Sequence, residues 1–236
     1  MSAQPTVSQR DHAILRHIER YRITTREALH RTLFPRVAIN SVTKVTSRLL
    51  AEGWLNQYPV FYKSFYFTLT PRAAELLGTA DTARTEALTT EALRTAYGML
   101  AFCCLSKTPR CRLLTLEVRE DHPQFYFPNL DSDRYYLDAT QRPKTCGIMF
   151  IDNGGAAEQM VAGYRDDLRA RCSRPGFREF LATGQFCLAV VTATAERAAA
   201  IGKCLKLQDW PRRLRTAIEL APKLTYCLPK DQDDAP

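Results

Sequence analysis

Between Arg36 and Leu55 the chain reads RVAINSVTKVTSRLLAEGWL, with Lys44 and Arg48 four residues apart and Ser41, Thr43 and Ser47 around them. Side chains four apart on a helix share a face. Two cations so placed among short hydroxyls suit a helix that enters the DNA major groove. Arg48 can reach a guanine edge or a phosphate, Lys44 suits a phosphate, and Ser41, Thr43 and Ser47 permit close approach. Val42, Val45 and Leu49, at spacings of three and four, form the opposite, apolar face. Ser41 or Asn40 is the expected N-cap. No Asn or Gln lies mid-helix, so paired hydrogen bonding to adenine is not expected from there. Arg26, Arg31 and Arg36 precede the helix and could anchor flanking phosphates. Tyr62, Lys63 and Ser64 follow it and bring one positive charge to a turn.

The rest of the chemistry-bearing inventory is sparse. Eight cysteines include no C-x-x-C pair, and none of the four histidines stands near them at ligand spacing. Cysteines in apolar runs such as GQFCLAVV pack as small hydrophobes, so reduced thiols in a reducing compartment are expected, with no metal and no cofactor. No nucleophile elbow, phosphate-binding loop or H-E-x-x-H is present, so enzyme activity is not expected. The formal net charge is +8, and its distribution is uneven. Residues 1–78 hold 11 Lys+Arg against 5 Asp+Glu, whereas residues 79–236 hold 22 against 20. Positive charge concentrated in the first third fits a module that binds a polyanion. No apolar run is long enough for a membrane span, and the first residues lack the apolar core of a signal peptide, so a cytoplasmic location is expected.

The elements that must position these residues follow from periodicity and caps. QRDHAILRHIERY places Ile14, Leu15 and Ile18 on one helical face, and ITTREALHRTLF offers Thr24 or Thr25 as cap of a second helix with Glu27 in its first turn. The Arg36–Leu55 run is the third, stopped by Gly53. WLNQYPVFYKSFYFTLT changes to an extended, aromatic-rich pattern broken at YKS, a hairpin. TPRAAELLG then has a Thr cap, Pro71 at the first helical position and Gly78 as stop. Three helices and a ribbon make a winged helix-turn-helix, whose third helix fits the major groove while the wing reaches the backbone or minor groove. After the linker TADTARTEA, LTTEALRTAYGMLAFCCLS reads as four to five helical turns with a broad apolar face.

From Arg110 the expected strands are RLLTLEV, QFYFP, RYYLDAT, KTCGIMFID and FCLAVVTA. The helices are AAEQMVAGYRDDLRARC, opened by Gly154 and Gly155, then GFREFLATG and TAERAAAIGKCLK. RTAIELAPKLTYCLP fits either a last helix or edge strands. The domains are therefore 1–78, a DNA-binding module; 79–107, a linker and connecting or dimerisation helix; 108–229, a mixed α/β domain for dimerisation or partner binding; and 230–236, an acidic disordered tail.

The segments YFTLTPRAAELLG, MFIDNGGAAEQMVAGYRDDLRA and FCLAVVTATAERAAAI resemble the replication-relaxation family of plasmids and other mobile elements. That resemblance implies an α+β protein in which a winged helix precedes a domain similar to the PD-(D/E)xK nuclease fold. It also implies DNA handling. Nucleases of that fold hold a divalent ion between carboxylates on neighbouring strands, with a Lys two positions beyond the second. Asp138 and Asp152 stand at plausible strand ends and Asp131 offers a third carboxylate, but the position two beyond Asp152 is Gly154. Asp131, Asp138 and Asp152 are thus degenerate positions, and turn-capping is their expected role. The overall expectation is a sequence-specific binder of double-stranded DNA, a dimeric regulator of a mobile-element or defence-related operon. An accessory factor in plasmid replication or conjugative transfer is the alternative, and a metal-dependent nuclease the third reading.

Overall fold

The Ser8 hydroxyl accepts from the Asp11 amide at 3.3 Å while the Asp11 carboxylate accepts back from the Ser8 amide at 3.2 Å. This reciprocal cap satisfies two donors at a helix start and fixes α1 (Gln9–Tyr21). Thr25 caps α2 (Arg26–Thr32) by accepting from the Ala28 amide at 3.1 Å. α3 (Ile39–Ala51) begins earlier than its sequence suggests: its N-cap is Ala38, which gives no side-chain cap, so Asn40 and Ser41 lie inside the first turn. The preceding turn is held instead by the His30 ring, whose Nε2 lies 2.7 Å from the Val37 carbonyl. The structure, a computed structural model, describes residues 7–61, 63–79, 85–130, 133–140, 142 and 144–227. Tyr62, Asp131, most of the linker and the acidic tail lie outside them.

The described residues form a mixed α+β protein, about 51% helix and 19% strand, in two compact units that divide between Leu100 and Ala101. In the first, β1 (Leu55–Phe61) pairs antiparallel with β2 (Ser64–Leu69), and Thr24, between α1 and α2, bridges Phe67 of β2. Ile14, Leu15, Ile18, Leu29, Val42, Val45, Leu49 and Phe67 share one core, so the ribbon and all three helices bury against each other. Each such aliphatic side chain contributes roughly 1.5–3 kcal/mol by leaving water. α4 (Pro71–Leu77) has the expected Thr70 cap and a left-handed Gly78 at its end. α5 (Thr90–Leu100) belongs with this unit; the single long connecting helix expected from sequence is broken by a π-helical turn at Ala101–Leu105, which opens the second.

His17 on α1 is buried beside the Tyr21 ring, centroids 4.8 Å apart, and its Nε2 has no hydrogen-bond partner among the described residues. Burial, with the nearby Arg20 charge, pushes its pKa from the usual 6.5 down to about 4. The folded chain therefore holds a neutral imidazole where the unfolded chain takes up a proton. Stability is complete above about pH 6.5 and falls as pH drops towards 4, by about 3 kcal/mol in all. Urea unfolding midpoints measured across that window should fall for the wild type and stay nearly level for His17→Leu. A His17→Leu profile as steep as the wild type's would remove His17 as the cause.

The second unit is built on five strands ordered β3 (Cys111–Arg112), β4 (Tyr135–Asp138), β5 (Thr145–Ile151), β6 (Phe186–Thr192) and β7 (Arg215–Leu220). The first three run antiparallel and the last three parallel. The crossover from β5 to β6 carries α7 (Ala157–Arg171) and α8 (Pro175–Ala182), and α9 (Ala195–Leu207) returns the chain to β7. All seven residues of β6 are buried, as its continuous apolar run requires of a strand covered on both faces.

Three expected elements differ. RLLTLEV is mostly a helix, α6 (Thr115–Asp121), because the Glu117 carboxylate turns back 2.8 Å to the Leu114 amide and satisfies the helix start. QFYFP is a 3-10 turn at Pro123–Phe125 followed by irregular chain. Its alternation is real, since Phe125 and Phe127 are buried, but they plug an aromatic cluster with Phe177 and Phe186 rather than a sheet face. The final segment is an edge strand and then a 3-10 turn at Pro222–Cys227. All eight cysteines are free thiols, six of them buried, and burial raises Cys146 to about 12, so it packs as a protonated thiol. Among the described residues no helix is long and apolar enough to cross a membrane.

Candidate nucleic-acid interface

α3 buries Val42, Val45, Thr46 and Leu49. The helical period then places Asn40, Lys44 and Ser47 on the opposite side, and all three are exposed. None makes a side-chain hydrogen bond or ion pair among the described residues. Asn40 was discounted in the sequence because it was expected to cap the helix. With the helix starting at Ile39 it joins Lys44 and Ser47 at spacings of four and three. Ser41 is exposed at the flank of this line, and Thr43 is half-buried with its hydroxyl 3.4 Å from the Ile39 carbonyl. Val37 and Ile39, 43% and 45% exposed, stand at the helix start and were also missed.

Arg48, four residues beyond Lys44 on α3, is engaged within the fold. Its Nη2 is 2.5 Å from Asp11 Oδ1, and its Nη1 lies 2.9–3.0 Å from both Glu52 oxygens. Burial opposes ionisation of Asp11, but the Ser8 hydroxyl and amide together with Arg48 outweigh it and hold the carboxyl below its usual range. Hydrogen bonding to Glu52 raises Arg48 in turn. Arg48 is thus a brace from α3 to α1. Arg26 is another: its Nε donates to the Thr46 hydroxyl at 3.2 Å and its guanidinium lies over the Phe67 ring at 5.5 Å. Arg31 and Arg36 are exposed around the turn before α3.

At the ribbon tip Lys63 is exposed with a φ of +54°, while Ser64 is half-buried and pairs with Phe61. One side of the ribbon is closed by the end of the linker and the residue that follows it. The Thr85 carbonyl accepts from Asn56, Tyr58 and Thr68, and the Leu88 amide donates to the Tyr66 hydroxyl. Gln57, Pro59 and Phe65 remain exposed on the other side.

In the second unit the two described carboxylates do not converge. Asp138 ends β4 opposite Thr145, the first residue of β5, while Asp152 follows the last. The length of β5 sets them on the order of 20 Å apart, too far to share an ion bound at about 2–2.6 Å. Asp138 accepts from the Thr140 amide and hydroxyl at 2.9 and 2.5 Å. Asp152 accepts from the Gly154 amide, the Thr192 hydroxyl and, through both oxygens, Arg197. Burial works against its charge, and these partners outweigh it and hold the carboxyl low. Asp152 fixes the turn before α7 but does not cap that helix, whose N-cap is Ala156. Among the described residues no three His, Cys, Asp or Glu side chains gather in a way that could hold a metal ion. No family model matches the chain, and comparison with curated proteins and with solved structures returns no match.

Proposed function

We propose that the chain is a sequence-specific binder of double-stranded DNA, a winged helix-turn-helix regulator related to the replication-relaxation proteins. The observation that carries this reading is the exposed line of Asn40, Lys44 and Ser47 on a helix that stands third in order and is followed by a ribbon. A helix fits the major groove end-on or lengthwise only if one side is polar and unobstructed. Asn40 brings the donor–acceptor pair that matches the adenine edge, and Val37 and Ile39 bring apolar surface for a thymine methyl. Lys44, Arg31 and Arg36 supply phosphate contacts, and Lys63 does so from the wing. The cation excess of residues 1–78 supports the same partner.

For the second unit we propose the PD-(D/E)xK-like arrangement, on the strength of its antiparallel meander leading into a parallel crossover. Its carboxylates serve turns in this reading, and the unit serves association with protein. Selection from a random duplex library with the purified full chain tests the DNA reading. A motif should be enriched, and its affinity should fall linearly on a log–log plot against salt, as counterion release demands. Recovery of no motif at low salt would overturn it.

A further inference from the structure

The two edges of the five-stranded sheet are unlike. β3 has two residues, too short to template another strand. β7 has six, Arg215–Leu220, and among the described residues no strand pairs with its outer side. Natural edges are usually blunted by proline, lysine, a bulge or a covering element, and RTAIEL has no proline or lysine. Arg215, Thr216, Ala217 and Leu220 are exposed. Of the four large apolar side chains that this unit exposes among the described residues, Leu207 ends α9, Leu220 ends β7 and Tyr226 follows it, at 75%, 48% and 68% exposure, while Leu116 lies on α6.

We infer that this edge is a homodimer interface, in which β7 of one chain pairs antiparallel with β7 of a second copy about a twofold axis at Ala217. The hydrogen-bonding parity of the strand selects that register. The Ala221 amide donates inward to the Thr192 carbonyl at 2.8 Å, and Thr192 stands opposite Leu220. In a parallel ladder this sends the amides and carbonyls of Glu219 and Ala217 inward as well, and those of Thr216, Ile218 and Leu220 outward. A twofold at Ala217 sets Thr216 against the partner's Ile218, so the outward groups of both strands meet as hydrogen-bonded pairs. A shift of one residue would face outward groups with inward ones.

The side chains agree with the same register. Glu219 is held by Arg110 of its own chain at 2.6 Å, and Arg110 also faces Asp138 at 4.0 Å, so two carboxylates share one guanidinium. The partner's Arg215 falls opposite Glu219 and supplies the second cation, once on each strand. Leu214 falls opposite the partner's Leu220, Thr216 opposite Ile218, and Ala217 meets itself. Opposite charges and β-branched pairs directly across a ladder each favour pairing. A shift of two residues would put Glu219 or Arg215 opposite Ala217 and lose the charge match. An isologous contact must be complementary to itself, and this six-residue strand is. The proposal does not depend on DNA binding.

Sedimentation of the full chain without DNA, at micromolar concentration, tests it. The expected mass is twice that of the monomer. Ala217 sits in a non-hydrogen-bonded pair, where Cα atoms are about 4.5 Å apart, inside the about 4.4–6.8 Å span of a disulfide. In a Cys111→Ser background, Ala217→Cys should therefore give a covalent dimer under mild oxidation. Thr216→Pro removes an amide that β6 does not use, so it should give a monomer whose melting temperature, at a concentration where the wild type is also monomeric, is unchanged. Arg215→Glu should give a monomer too, by placing two carboxylates together. A wild-type monomer at these concentrations would overturn the proposal. So would a dimer that survives Thr216→Pro and fails to cross-link through Ala217→Cys.

Discussion

Replacing Gly147 with alanine should lower the stability of the second unit by about 3–5 kcal/mol, in the range where a domain of this size ceases to be reliably folded. A Cβ at this position would lie 2.3 Å from the Cys187 carbonyl oxygen and 2.5 Å from the Tyr136 ring. The first obstacle is backbone of the neighbouring strand β6, so no rotamer change relieves it. The second is a ring laid across β5 and held edge-on by Phe102, centroids 4.8 Å apart. Gly147 is needed for space rather than for a special backbone angle, so Gly147→Ala paired with Tyr136→Ala should recover little, because the Cys187 carbonyl still blocks it. Chemical denaturation of both variants measures this. A single variant within 1 kcal/mol of the wild type would mean that the strands separate more readily than their packing suggests.

The second large effect concerns binding. Asn40→Ala together with Lys44→Ala should weaken binding to the selected duplex by about 30- to 1000-fold, or about 2–4 kcal/mol. The single variants should differ in kind. Asn40→Ala should relax the preference at one base pair. Lys44→Ala should weaken all sequences alike and reduce the salt slope by about 1. Arg48→Ala makes the contrast. It removes the direct ion pair of Asp11, which is 2% exposed, and leaves it only Arg10 at 4.0 Å, so stability should drop by roughly 1–3 kcal/mol while the selected motif stays the same. An altered motif with an unaltered melting temperature for Arg48→Ala would show that Arg48 reads bases after all.

What the sequence disclosed, and what it hid, divides by the range of the interaction. The helices α1 to α4, the ribbon and the buried strand β6 were legible because caps, apolar period and turn residues are local. α6 was hidden because its cap is a Glu117 carboxylate reaching back to the Leu114 amide, with no Ser, Thr, Asp or Asn at the cap position to announce it. Nothing local marks Arg171, the last residue of α7, as buried, yet it is among the largest fully buried side chains, held by Asp167 and the Tyr135 hydroxyl. The candidate site was half legible. Lys44 and Ser47 were placed on the outward face by period alone. Asn40 was expected to cap the helix, but the helix start depends on His30, ten residues away, and the ion pair of Arg48 was hidden because Asp11 reaches it from thirty-seven residues away.

The separation of these residues within α3 bears on how such a protein can diversify. Arg48, Thr46 and the apolar side hold the helix in place, while the side chains of Asn40, Lys44 and Ser47 make no hydrogen bond or ion pair among the described residues. Substitutions along that outward line are therefore nearly neutral for folding, and a lineage can walk through many of them without passing through an unfolded intermediate. If the line reads DNA, new target sequences are reachable by single steps on a scaffold that does not change. The same property makes α3 a sensible place to randomise when a new specificity is wanted, provided Arg48, Asp11 and Thr46 are left as they are.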